Sequence, residues 1–73
     1  MNTVCVHVDE NMDSDLMTKV KLGLLKVNNI SNVEMNPKQP HDILVEYNIS
    51  PELPLDITNQ LKKLGLHSYI WGG

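Results

Sequence analysis

With 73 residues the chain has room for one domain, 1–73, near the lower limit at which a hydrophobic core alone sustains a fold. A net charge of −3, six scattered Lys and no Arg argue against nucleic acid as the partner, because phosphate neutralisation needs clustered cations. The single cysteine, Cys5, excludes an internal disulfide, and two Tyr, one Trp and no Phe leave the core to Val, Ile, Leu and Met.

The chain starts with Met1-Asn2-Thr3-Val4-Cys5, which is neither a basic leader nor a continuous apolar run. In "TVCVHV" (Thr3 to Val8), Val4, Val6 and Val8 alternate with Cys5 and His7, the period of a strand buried on one side. "DENMDSD" then supplies turn residues and a helix start, with Asp13, Ser14 or Asp15 as N-cap. Leu16, Met17, Val20, Leu24 and Val27 recur at steps of three and four, which predicts a helix with one apolar stripe, ended by Asn28-Asn29.

"ISNVEM" (Ile30 to Met35) predicts a second strand, and "NPKQPHD" is a turn-rich connection to a third, "ILVEY" (Ile43 to Tyr47). "NISPELPLD" reads as a linker, since Pro51 and Pro54 forbid a continuous strand. A short helix is expected from Asp56 to about Leu64, with Ile57, Leu61 and Leu64 inward and Gly65 as the left-handed residue after its end. "HSYIW" predicts the last strand. No stretch approaches the roughly 20 apolar residues that span a bilayer, so a protein of the reducing cytoplasm with no membrane insertion is expected.

Strand, helix, strand, strand, helix, strand is the order of two split βαβ units. They pair into one four-stranded antiparallel sheet with both helices on one face, the ferredoxin-like α+β arrangement. The other face of the sheet is left to solvent.

On the first strand, Val20-Lys21, Leu24, Val27, "NISNVEM" and Leu64-Gly65, all in register, the chain resembles the heavy-metal-associated domain family over nearly its whole length. The resemblance implies the same fold and, in metal-binding members, an M-x-C-x-x-C motif between first strand and first helix. Two thiolates there suit a soft ion such as Cu(I), Zn(II) or Hg(II). Aligned without gaps, the two cysteine positions fall on Asp13 and Leu16; with Met12 matched to the family's methionine, they fall on Ser14 and Met17. Neither pair is a two-thiolate site, so a degenerate member with no metal at this position and no cofactor is expected. Asp9, Glu10, Asp13 and Asp15 lack the D-x-[DN]-x-[DN]-G pattern of a calcium loop, and capping plus solvation accounts for them.

Strand parity assigns Cys5, His7, Leu44, His67, Tyr69 and Trp71 to the solvent-facing side of the sheet. Cross-strand aromatic pairs stabilise any sheet by about 0.2–1 kcal/mol each, which is the plain reading of this patch. A functional reading is that the patch docks a partner protein or a second copy of the chain, a homodimer. The alternative is a carrier of Cu, Zn or Hg that uses Cys5, His7 and His67 as unconventional ligands. Enzyme catalysis has little support: Ser14 has no neighbouring His, and Cys5 is mid-strand, away from a helix N-terminus that would activate it. The terminal Gly72-Gly73 resembles that of ubiquitin-like sulfur carriers, but those open with a hairpin. Sulfur-relay proteins with this strand-helix order need Cys-Pro at the helix start, where this chain has Asp13-Ser14.

Overall fold

In the computed structural model, which describes residues 2–71, the six expected elements follow in the expected order. They are β1 (Asn2–Val8), α1 (Ser14–Leu25), β2 (Ile30–Met35), β3 (Asp42–Tyr47), α2 (Leu53–Lys63) and β4 (Ser68–Trp71). The question of a role for Gly72-Gly73 lies outside the described residues. The strands form one sheet in the order β2-β3-β1-β4 with every pair antiparallel, the ferredoxin-like α+β fold. Among the described residues no helix is long and apolar enough to cross a membrane.

The alternation in β1 orients the sheet. Val4, Val6 and Val8 are buried together with Val33, Ile43 and Val45 from β2 and β3, Val20 and Leu24 from α1, and Leu53, Ile57 and Leu61 from α2. Both helices therefore cover the side to which these valines point. No aromatic, polar or charged residue is buried among the described residues, so this core is held by aliphatic packing alone.

The helix ends show how local chemistry sets boundaries. Asp13 is the N-cap of α1, and its Oδ1 accepts the Leu16 N–H at 2.8 Å. The helix stops at Leu25, short of Val27, and the chain reverses through Asn29 at φ 75°, a left-handed conformation that asparagine tolerates. At the end of α2, Gly65 takes φ 78°, its N–H donates to the Lys62 carbonyl at 2.9 Å, and Leu66 N–H donates to the Leu61 carbonyl at 3.1 Å. This is the Schellman pattern, completed by the burial of both Leu61 and Leu66.

Three further departures from the sequence expectation bear on the core and the open face. α2 begins at Leu53 rather than Asp56, with Pro54 in its first turn. Proline is at home there, because its φ is already helical and the missing N–H would have no intrahelical partner. The earlier start carries Leu53, 1% exposed, into the core. β4 begins at Ser68, leaving His67 before the strand. A register shift between Ile30 and Asn32 in the β2–β3 pairing adds a residue to β2. It lets Ile30 and Val33, an odd number of positions apart, both contribute to the core.

Candidate functional site

Register gathers five of the six expected face residues. Cys5 lies opposite Leu44 on one side and Trp71 on the other, and His7 lies opposite Asp42 and Tyr69. Because Val4, Val6 and Val8 point to the helices, these partners project from the uncovered side. Leu44, Tyr69 and Trp71 are 38%, 52% and 61% exposed.

His7 is the centre of this group. Its ring stacks with Tyr69 at 5.8 Å between centroids and meets Trp71 at 6.0 Å in a tilted contact. His41, from the β2–β3 connection, stacks with it at 5.5 Å. His7 Nδ1–H donates to Asp42 Oδ1 at 3.1 Å, and His41 Nδ1–H donates to the Val8 carbonyl at 2.8 Å. Carbonyl and carboxylate oxygens only accept, so both Nδ1 atoms carry protons, which leaves Nε2 as the one ring nitrogen that can accept when unprotonated. His41 is not among the sequence candidates. It sits in a turn with no periodicity to place it, and only the pairing of β1 with β3 brings it to His7.

His67 is set apart from these five. It is exposed, as parity expects, but its imidazole is committed to the β1–α1 loop. Its Nδ1–H donates to Glu10 Oε2 at 2.6 Å and its backbone N–H to Glu10 Oε1 at 2.8 Å. Asp9 N–H donates to the His67 carbonyl at 2.8 Å, and the Tyr69 hydroxyl donates to Asp9 Oδ1 at 2.7 Å. The hydrogen bond from His67 holds the Glu10 carboxyl below its ordinary range, and the same bond raises the His67 imidazole. Donation to Asp9 raises the Tyr69 phenol.

The residues at the helix start supply no thiolate pair. Asp13 is spent on the cap, Ser14 opens α1, Leu16 and Met17 are half-buried, and none of the four offers a thiolate or an imidazole. Asp9 and Glu10 are likewise engaged by Tyr69 and His67. Among the described residues no group of three or more His, Cys, Asp or Glu side chains could hold a metal ion, so Cys5, His7 and His67 do not form such a group. Burial, and then the Asp42 carboxylate, push the Cys5 thiol up, which disfavours the thiolate needed for ligation or nucleophilic attack.

No family model matches the sequence, and no curated protein matches it. Solved structures do. A copper binding domain from HMA7, a P-type ATPase, superposes with a TM-score of 0.79 at 19% identity, covering 99% of this chain and 96% of that one. Oxidized MerP from Ralstonia metallidurans CH34 gives 0.79 at 20% identity, with 97% of each chain covered. The copper(I) loaded first domain of the human copper chaperone for SOD1, CCS, gives 0.71 at 18% identity, covering 96% of this chain and 92% of that one. At such identities the likeness is one of fold, and the chain has the fold of heavy-metal-associated domains.

Proposed function

We propose that residues 1–73 form one non-enzymatic binding module on a heavy-metal-associated-like scaffold that has lost the cysteine metal site. Its open sheet face docks another protein, as a partner or as a second copy of the chain. The observation that carries this reading is the exposure of Tyr69 and Trp71, 52% and 61%, beside Leu44, in a protein whose buried core uses no aromatic residue. Both rings make cross-strand contacts with His7, yet they remain largely exposed, and Trp and Tyr are favoured anchors of protein interfaces. A non-catalytic role is supported by the raised Cys5 thiol and by the capping position of Asp13-Ser14. Comparable structures are described as a copper binding domain of a P-type ATPase and the first domain of a copper chaperone, in each case a domain named for copper rather than for catalysis. Placement in the cytoplasm, without membrane insertion, belongs to the same reading; it is supported by the absence of a cysteine pair and, among the described residues, of a helix long and apolar enough to cross a membrane.

The test is a photo-reactive residue substituted for Leu44, irradiated in extract of the native host. A crosslink that excess wild-type chain removes, and that Trp71→Ala chain does not, is the expected outcome. Trp71→Ala should weaken association by about 2 kcal/mol, about thirtyfold. No competed crosslink, together with a monomer in sedimentation at all concentrations, would sink the reading.

A second reading takes the chain as a carrier of Cu, Zn or Hg. It is favoured by the copper-binding descriptions of comparable structures and by the paired His7 and His41 rings, whose protonated Nδ1 atoms leave Nε2 to accept. The expected result is that no Cu(I), Hg(II) or Zn(II) is retained one-to-one against a modest chelator. Retention abolished by Cys5→Ser or His7→Ala, but not by Asp13→Ala, would put the carrier in place of the docking module.

A further inference from the structure

Charge is divided between the two sides of the sheet. No strand carries a lysine, while Glu34, Asp42 and Glu46 all lie on strands. Glu34 pairs with Leu44, and Glu46 pairs with Thr3 and Asn32. Since Leu44 lies on the open face and the core-facing residues alternate with it, both glutamates project to that face too. Asp9 and Glu10 add two carboxylates where the β1–α1 loop is tied to Tyr69 and His67. The lysines lie elsewhere: Lys19 and Lys21 in α1, Lys26 at its C-cap, Lys62 and Lys63 in α2, and Lys38 in the β2–β3 connection. The strands that expose Leu44, Tyr69 and Trp71 thus bring Glu34, Asp42 and Glu46 to the same face and no lysine. A shallow concavity of ≈ 250 Å³ between Glu34 and Asp42, floored by Cys5 and Leu44, adjoins them.

We infer that the occupant of the open face is a basic protein surface whose contacting cations are arginines. This rests on the docking reading above and narrows it. A second copy of the chain would bring a like-charged rim against this one, which costs association energy. An arginine-bearing surface matches the rim in sign. Guanidinium groups of such a surface can stack on the Trp71 and Tyr69 rings and, at other points, meet the Glu34 and Glu46 carboxylates with a planar N–H fork, a combination for which the compact ammonium of lysine is less suited.

The probe is a synthetic peptide of alternating arginine and glycine, with lysine–glycine and glutamate–glycine counterparts. Trp71 is the single tryptophan and reports directly on the face by its fluorescence. The arginine peptide should give a saturable change that weakens about tenfold between low salt and about 0.3 M salt, as screening requires. The lysine peptide should bind more weakly and the glutamate peptide not at all. Glu34→Gln with Glu46→Gln should weaken the arginine peptide about tenfold, whereas Asp15→Asn with Glu52→Gln, which removes one carboxylate at each helix start, should change it less than about twofold. Equal loss in both variant pairs would show diffuse charge attraction and overturn the inference. So would a concentration-dependent dimer that hides Trp71, since the occupant would then be a second copy. If the arginine peptide fails while the Leu44 crosslink is still competed away, the basic partner falls and the docking module stands. If both fail, both fall.

Discussion

The two sides of this sheet are made from the same strands by opposite rules. Among the described residues the buried side chains are Val, Leu, Ile and Met12, with no aromatic, polar or charged residue enclosed. On the open side, at intervening positions, stand a thiol, an imidazole, a phenol, an indole and carboxylates, and the His41 ring stacks on His7 from the β2–β3 connection. Val6, between Cys5 and His7, is fully buried, whereas Trp71, opposite Cys5, is 61% exposed. One side maintains the fold through area removed from water. The other is free to be specified by whatever it meets, and substitutions on the two sides should separate stability from binding.

The largest separation is expected from truncation. Leu24→Ala or Leu61→Ala empties a site with no exposure and should cost about 2–5 kcal/mol in denaturant unfolding, with binding lost only through unfolding. Trp71→Ala should cost less than about 1 kcal/mol in the same measurement, the range of a cross-strand pair. Wild-type Trp71 emission should be red-shifted and readily quenched in dilute solution. A blue, unquenchable Trp71 in a demonstrated monomer would erase the distinction between the two sides.

How much of this was readable beforehand depended on sequence distance. The alternation of Val4, Val6 and Val8 is a local pattern, and it placed Cys5, His7, Leu44, Tyr69 and Trp71 together once strand order was assumed. Gly65 was legible because its left-handed conformation is a local demand. Pro54 misled, because proline excludes a strand but also suits the first turn of a helix. The bulge that turns both Ile30 and Val33 inward interrupts the alternation itself and leaves no mark in composition. His67 was assigned to the face by parity alone, but its bond to Glu10 spans 57 residues of sequence, and no local signal announces such a partner. His41 is illegible in the sequence for the same reason: its neighbour His7 is supplied by tertiary pairing.

A smaller effect is expected at the start of α1. Asp13→Ala removes the acceptor of the Leu16 N–H and should destabilise the fold by about 0.5–2 kcal/mol. Binding at the open face should be unchanged, because the cap touches none of its residues. Lost binding with unchanged stability would move the site from the sheet to the loop, and the comparison between the two sides would no longer explain function.

The smallest effect belongs to the clamp between Glu10 and His67, which joins the loop to the approach to β4. His67 holds its proton more tightly in the fold than in the unfolded chain. Its contribution is therefore complete below the ordinary histidine value of 6.5 and fades as pH rises through the raised folded value. Glu10 holds its proton less tightly when folded, so its contribution is complete above the ordinary 4.5 and fades as pH falls through the lowered folded value. The pair is at full strength between those two ordinary values. The His67 side chain is 79% exposed, so solvent screens the pair and keeps the effect modest. The difference in melting temperature between wild type and His67→Ala should peak near about pH 5.5 and shrink toward both pH extremes. Glu10→Gln should flatten the same profile while retaining an acceptor for the His67 backbone N–H. A difference that instead grew steadily above pH 7 would mean that His67 is held neutral in the fold, and that the clamp owes nothing to charge.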